Sequence, residues 1–557
     1  MSSFASAAHS EVPSARPIWD KLSLALFVCA ALLVLLTFSD YGITWDEDVH
    51  NWYGMYVLDY YLSGFKDLRC LTFLNLYNYG AAFDMTAALV NRVSPFGTYE
   101  TRHLLNGLVG ILGFIGVWKL TRHMAGPRAG FIAALFLVLT PNYYGQMFNN
   151  PKDVPFAVGV VWATYYMVRI IPALPRPSWS LLLKLGIVTG MALGVRVGGL
   201  LLFGYLGLLL LLHTIWRGME TRDWKLFFIE GITNLWRVLL PVVLVAYPAM
   251  MLFWPWAQQA PIDNPLRALA FFSHETFPFR TLFAGNYFAA TDLPWAYLPV
   301  HVILALPELV LVMLVVGPVL GVLAARRFGW RIEREIALSH FVVVFGIIFP
   351  IAYAVQIKAV LFDGMRHFIF VLPLIACEAA IAFDHIVKRA SDFPYRRYAY
   401  SAVALYLAGH MVVMVKLHPD EYVYYNGFIG GVEGADGLFK TDYWANSYAE
   451  AVEGLQDYLH AQYGADYMDH DFTVAVCGPP ISADYYFPAN FVFSEDRENA
   501  DFYISFTKDD CHKALPGKEV FRVERMGAML SIVLDRRQIV AERALHRTIA
   551  QAAPVRK

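Results

Sequence analysis

The chain has 557 residues, of which 57% are hydrophobic and only 16% charged, and its mean hydropathy is +0.45. A soluble chain of this size with so few charges would expose large apolar patches, so an ordinary cytosolic enzyme is excluded, and so is a disordered protein. A formal net charge of −2 leaves no basic excess for nucleic acid, and 15% aromatic residues suit many helix ends at a membrane interface.

The composition predicts a polytopic α-helical membrane protein. In chain order, eleven apolar segments approach the roughly 20 residues that a bilayer core requires: 22–38, 102–120, 129–144, 154–171, 181–195, 198–215, 235–254, 299–323, 338–355, 368–386 and 398–416. The stretch 81–90 is apolar but short, and reads as an interfacial helix. Alternate connections carry the positive charge: Arg16 and Lys21; Lys119, Arg122 and Arg128; Arg169, Arg176 and Lys184; Arg217, Arg222 and Lys225; Arg326, Arg327, Arg331 and Arg334; Lys388, Arg389, Arg396 and Arg397. The opposite connections are poorer for their length, which puts the N-terminus in the cytoplasm and, after eleven crossings, the C-terminus outside. The first span lacks a small-x-small cleavage site and reads as an anchor.

The composition changes at residue 418. Residues 1–417 form the transmembrane module, and 418–557 read as a small soluble extracytoplasmic α/β domain, with a helix over 446–463 and strands over 472–477, 502–506, 519–523 and 529–534. Cys29 and Cys377 fall in spans. Cys70, Cys477 and Cys511 fall outside, where disulfides form, and Cys477 with Cys511 is the candidate pair. No cysteine spacing suggests zinc.

The outside ends of the helices collect the unusual residues. The first span runs into Asp40, Asp46, Glu47, Asp48 and His50, four carboxylates and a histidine within eleven residues. A solvated helix exit explains such a run; so does a carboxylate that takes a proton or holds a divalent metal. A second carboxylate, Asp153, opens the fourth span on the same face, where helix capping is the bland alternative. Cations follow on that face: Arg196 among glycines, Lys358 after the ninth span, where snorkelling is the bland alternative, and Arg366 with His367 opening the tenth. Arginine or lysine aimed at a phosphate would account for all three positions. Glu308, the pair His274 and Glu275, Gly430 with Gly431, and Cys477 with His512 are weaker candidates.

The pattern formed by Thr44, Trp45, Asp46 and Glu47, by the run Asn150 to Pro155, by Arg196, and by Gly364 to Phe368 with Leu372 and Pro373 resembles the GT-C membrane glycosyltransferases. More narrowly it resembles the family 39 type, which includes protein O-mannosyltransferases and lipid A aminoarabinose transferases. The resemblance covers roughly the first 417 residues. It implies transfer of one sugar, with inversion, from a polyprenyl-phosphate donor to a lipid, glycan or protein acceptor at the outer face of the cytoplasmic membrane. Asp46 is then the base, with Glu47 and Asp153 in the catalytic set, and Arg196, Arg366, His367 and Lys358 bind the donor phosphate. A divalent metal bridging Asp46 and Asp153 is the one cofactor the resemblance allows. A transporter or lipid flippase is the alternative; it would more often show inverted repeats and charges spread through the membrane depth, and neither is present in the sequence. A reporter fused after Lys557 is expected to be active only outside the cytoplasm, and activity inside would reverse the orientation read from the charge asymmetry.

Overall fold

The computed structural model describes residues 16–274, 279–327, 329, 332–390 and 393–552. Helix α1 (Arg16–Thr37) enters the bundle. After a loop come α2 (Glu47–Leu62) and the short α3 (Ala82–Asn91), which lie beside the bundle end. The bundle continues with α4 (Thr98–Ala125), α5 (Pro127–Val138), α6 (Pro141–Asn149), α7 (Asp153–Ile170), α8 (Trp179–Leu193), α9 (Leu200–Thr221), and α10 (Trp224–Asn234) running into α11 (Leu240–Met251). A region outside the bundle holds α12 (Pro255–Gln259), α13 (Asp263–His274), the hairpin β1–β2 (Arg280–Phe283 and Asn286–Ala289) and α14 (Tyr297–Leu304). Then α15 (Glu308–Arg327), α16 (Arg334–Gln356), α17 (Leu372–Arg389) and α18 (Arg396–Leu417) complete the bundle.

Among the described residues nine helices are long and apolar enough to cross a membrane. They answer to nine of the eleven segments read from the sequence, and the chain is a multi-pass membrane protein. One of the nine, 299–323, covers two helices, α14 and α15, broken at Pro307, and the other two segments also depart from a single long helix for identifiable reasons. The segment 129–144 is two helices, α5 and α6, bent by 65°. Thr140 between them takes extended backbone and Pro141 begins the new helix, as a residue before proline and a proline at the first helical position do. The segment 181–195 is α8, 15 residues long, which spans about 22 Å at 1.5 Å per residue. It nevertheless returns the chain to the level it left: Asp153 at the start of α7 and Arg196 just beyond α8 are paired at 2.6 Å.

Ion pairs and hydrogen bonds mark the two ends of the bundle. At one end Arg122 meets Asp20 at 2.8 Å, Arg128 meets Asp384 at 2.5 Å and Arg334 meets Glu220 at 2.7 Å. These are the arginine-rich connections. At the other end Asp153 meets Arg196, the Ala81 amide donates to the Phe253 carbonyl at 2.8 Å, and His418 meets Asp40 at 3.0 Å. Small residues let the helices between them approach closely: a Cβ on Gly113 would lie 1.9 Å from the Tyr143 hydroxyl, and one on Gly159 would lie 2.7 Å from the Ala192 side chain. The α17 helix is mostly buried in the bundle, whereas α18 is almost wholly exposed along its length, as a lipid-facing helix is.

Beyond α18 the chain forms α19 (Gly431–Ala435) and α20 (Tyr448–Tyr463). Then come β3 (Phe472–Val476), β4 (Phe491–Phe493), β5 (Phe502–Phe506), β6 (Lys518–Arg525) and β7 (Ala528–Asp535). The sheet order is β4-β3-β5-β7-β6. Strand β3 runs parallel to β4 and β5, and β7 runs antiparallel to β5 and β6. Every residue of the central β5 is buried, which is why it reads as an unbroken apolar run rather than an alternating one. Helix α20 packs on β6 at Gly454, where a Cβ would lie 2.3 Å from the Phe521 ring. The sequence reading found four of these strands. It missed β4, an edge strand of three residues, and the hairpin β1–β2.

Cys477, just past β3, is disulfide-bonded to Cys511, with the Cα atoms 6.3 Å apart, while Cys29, Cys70 and Cys377 are free. Replacing Cys477 by Ser is expected to cost about 2–4 kcal/mol of stability in the tail, checked by thermal unfolding with and without reductant. Labelling of both thiols in unreduced, unfolded wild-type protein would contradict the bridge.

Candidate active site

The loop after α1 is clamped from several sides. Tyr41 stacks on Phe148 at 3.9 Å between ring centres and donates its hydroxyl to Glu421. The Gly42 amide donates to Asn446 Oδ1 at 2.9 Å, and a Cβ on Gly42 would meet the Asn446 carbonyl at 2.1 Å, so only glycine fits there. The Trp45 amide donates to the Trp444 carbonyl at 3.0 Å. Glu47 is buried and holds the loop from below: its Oε2 accepts from the Thr44 amide at 2.8 Å and hydroxyl at 3.0 Å, and its Oε1 pairs with His103 at 2.9 Å. So held, Asp46 stands at the start of α2 without a side-chain capping bond and lines a cavity of about 440 Å³.

Inside this cavity one oxygen of Asp46, Oδ2, accepts from Lys152 Nζ and from Arg366 Nη1, both at 3.1 Å. Burial opposes the charge on Asp46, but the two cations outweigh it and hold its carboxyl well below the usual carboxylate range. Asp153 pairs with Arg196, accepts from the Asn150 side-chain amide at 3.0 Å, and is itself buried. The Tyr79 ring lies under both Lys152 and Arg196, at 5.3 and 5.8 Å. Arg366 sits between the rings of Phe362 and Trp444, at 4.9 and 5.1 Å. Lys508 comes from the tail, over the Trp45 ring at 4.8 Å. A buried carboxylate, Asp363, joins the group through Lys440 at 3.4 Å, Lys508 at 3.7 Å and Arg366 at 3.8 Å. Burial resists its ionisation, and those cations keep it ionised and its pKa lowered.

The charged residues lining the cavity are four cations, Lys152, Arg196, Arg366 and Lys508, against two carboxylates, Asp46 and Asp363. The remainder of the wall is largely apolar, with Phe156, Leu201, Pro350, Tyr353 and Ala354 from the bundle helices and Phe370 from the turn before α17. Such a cavity attracts a ligand with an anionic head and an apolar body.

Of the residues singled out in the sequence, Asp46, His50, Arg196, Arg366 and His367 line the cavity. Asp153 stands behind Arg196 and positions it, and Glu47 stands behind the loop. Lys358 is exposed on the loop after α16 and does not line the cavity. Glu308 pins the bundle to the tail, accepting from the Tyr406 hydroxyl at 2.7 Å and the Gly427 amide at 2.6 Å. Cys477 is consumed by its disulfide, and Glu275 lies outside the described residues. The residues do not fit the bridging metal that the resemblance allows. Asp46 and Asp153 are each occupied by cationic side chains, and among the described residues no group of three or more His, Cys, Asp or Glu side chains is placed to hold an ion. Sequence reasoning assigned no role to Lys152, though it lay inside a quoted motif, and missed Asp363, Trp444, Lys508 and the partnership of His50, noted beside Asp46, with Asp84 and Arg102.

Residues 86–244 match the family model described as dolichyl-phosphate-mannose-protein mannosyltransferase, a segment that carries Lys152, Asp153 and Arg196. The resemblance is to GT-C membrane glycosyltransferases. Among solved structures the chain is similar to ArnT from Cupriavidus metallidurans, in the apo state and bound to undecaprenyl phosphate. Each comparison gives 16% identity and a TM-score of 0.47 over 92% of this chain and 97% of the other. It is also similar to the oligosaccharyltransferase AglB from Archaeoglobus fulgidus, at 11% identity and a TM-score of 0.45 over 87% of this chain and 69% of the other. No curated protein matches in sequence.

Because Glu47 grips Thr44 and His103 rather than the cavity, Glu47→Gln is expected to act through the loop. Weakening its charge-assisted bonds costs about 1.5–3 kcal/mol of stability, read by thermal unfolding in detergent. A variant as stable as wild type would mean that the loop does not depend on this carboxylate.

Proposed function

We propose that the chain is an integral membrane glycosyltransferase that moves one sugar from a polyprenyl-phosphate donor to an acceptor hydroxyl at the outer face of the cytoplasmic membrane, with inversion. The observation that carries this reading is the cavity itself, in which four cations gather at one end of a largely apolar wall. The wall reaches Tyr353 and Ile357, which are exposed at the end of α16. A lipid phosphate places its anion among the cations and its prenyl chain along the wall, leaving the sugar beside Asp46. The description of the matched family model, which names a lipid-phosphate sugar, supports the same donor class. Residues 1–417 are then the catalytic transmembrane module and 418–557 an extracytoplasmic domain that lends Trp444 and Lys508 to the site. The positive-inside asymmetry supports this orientation.

The chemistry follows from where charge develops. The acceptor oxygen attacks the anomeric carbon as the bond from that carbon to the phosphate oxygen breaks, and the released lipid phosphate keeps the electron pair. Arg196, Arg366, Lys152 and Lys508 stabilise the growing negative charge, which costs least when donors are already in place and water is excluded. The planar arginine fork suits a phosphate oxygen pair, and His367 adds a ring beside it. Asp46 meets the acceptor hydroxyl on the side away from the leaving group, and a single displacement of that kind inverts the anomeric centre.

Transfer of labelled sugar from polyprenyl-phosphate donors to a membrane extract by the purified protein tests the function, and no depletion of any such donor would overturn it. Arg366→Ala is the cleaner phosphate probe, since Arg196→Ala would strand the buried Asp153 carboxylate. It is expected to weaken donor binding by about 1.5–3 kcal/mol. Asp46→Asn is expected to lower single-turnover transfer by about 10²–10⁴-fold. Donor affinity should hold or tighten, because Lys152 and Arg366 no longer have to leave a carboxylate to meet the phosphate. Near wild-type transfer by Asp46→Asn would remove it from the chemistry.

A further inference from the structure

One group in the cavity has no role in the account so far. His50 lies one helical turn beyond Asp46 on α2, its backbone amide donating to the Asp46 carbonyl at 3.2 Å, and both side chains line the same cavity. Residues four apart on a helix share a face, about 5–6 Å between Cβ atoms. The His50 side chain is almost wholly buried. Its Nδ1 is 2.7 Å from Asp84 Oδ2, and the other oxygen of Asp84 is 2.6 Å from Arg102 Nη2. Asp84 therefore accepts the Nδ1 proton and fixes the tautomer in which Nε2 carries a lone pair. That Nε2 is buried and has no hydrogen-bond partner in the protein among the described residues. A buried polar atom left unpaired is costly, and because His50 lines the cavity, a ligand hydroxyl that reaches Nε2 from there would give it a partner.

We propose that His50, oriented by Asp84, receives the proton of the acceptor hydroxyl as the sugar is transferred, so that the base of this site is a carboxylate–imidazole pair on one helical turn rather than Asp46 alone. The inference rests on the glycosyltransferase reading and divides the work of its base. Asp46 shares one oxygen with Lys152 and Arg366, which makes it a good acceptor of the hydroxyl's hydrogen bond and a poor holder of its proton. The acceptor O–H bond breaks, its electron pair forms the bond to the anomeric carbon, and the proton comes to rest on His50 Nε2. The imidazolium that results is compensated by Asp84, whose charge Arg102 shares from the far side.

The groups facing His50 are Asp84 from α3, Lys152 from the loop before α7, and Asp46 on its own helix. Burial lowers the pKa of His50, Asp84 opposes that, Lys152 adds to it and Asp46 opposes it, with the net effect below the usual value. His50 is thus neutral and ready at pH 7. The other histidine of the cavity, His367, makes no ion pair with a carboxylate among the described residues, and burial with Arg366, Arg196 and Lys152 outweighs the pull of Asp46 and keeps it neutral.

The test is single-turnover transfer measured against pH, with donor affinity measured separately, for wild type, His50→Gln, His50→Ala and Asp84→Asn. Wild-type transfer is expected to rise with pH as His50 loses its proton, then level off. His50→Gln should lose that limb and about 10²-fold of the plateau while binding donor normally. Asp84→Asn should move the limb to lower pH, since the neutral partner no longer favours the imidazolium. Added imidazole should restore part of the His50→Ala rate, which a purely structural histidine would not allow. A wild-type pH profile in His50→Gln with normal donor binding, or no imidazole rescue of a folded His50→Ala protein, would overturn the proposal and leave the glycosyltransferase reading standing. Absence of transfer by wild type from every polyprenyl-phosphate sugar would remove both.

Discussion

The structure turns on a carboxylate oxygen that serves two cations. Asp46 Oδ2 joins Lys152, from the loop between α6 and α7, to Arg366, from the turn before α17. Three parts of the chain far apart in sequence meet at that atom, and each is held for the purpose by its own supports. Glu47 fixes the loop of Asp46 and the Tyr79 ring underlies Lys152, while Trp444 and Phe362 flank Arg366. Buried ion pairs are poor sources of stability, because desolvation cancels most of the attraction. This one is better understood as charge kept in readiness, since an incoming phosphate can take over the cations with little rearrangement.

Much of the fold was legible because a bilayer imposes a coarse code. Length and apolarity located the bundle helices, with starts displaced by about ten residues for the segments 235–254 and 299–323, and the one short apolar stretch, 81–90, coincides with the short helix α3. The departures arose where backbone rather than hydropathy decides: Pro141 splits α5 from α6 inside a continuous apolar run, and Gly194 ends α8 early. Hydropathy averages over such residues. The edge strand β4 and the hairpin β1–β2 were too short to carry a period.

Within the site, Asp46, Arg196 and Arg366 stood out because a charge beside an apolar helix is conspicuous. Lys508 and Trp444 did not, because in a polar domain a lysine or a tryptophan is ordinary and only the tertiary fold brings them to Asp46. The set formed by His50, Asp84 and Arg102 was hidden for another reason. Its members look like a loop histidine, an acidic residue in a short helix and a basic residue at a helix start, and their partnership exists only in three dimensions. Lys358 shows the converse case, since a cation at the end of an apolar helix need not turn inward.

The cavity wall also has a history written in chain order. Asp46 and His50 come early in synthesis, Lys152 and Arg196 follow, and Trp444 and Lys508 arrive only with the tail, whose 508–513 turn is tethered to β3 by the Cys477–Cys511 bridge. A nascent chain with its bundle already inserted therefore has a greasy groove and some of its cations, but an open, water-filled roof. The last wall is set only when the tail has folded against the bundle and its bridge has formed. Until the tail is in place, whatever enters the groove from the side finds no closed chamber around Asp46.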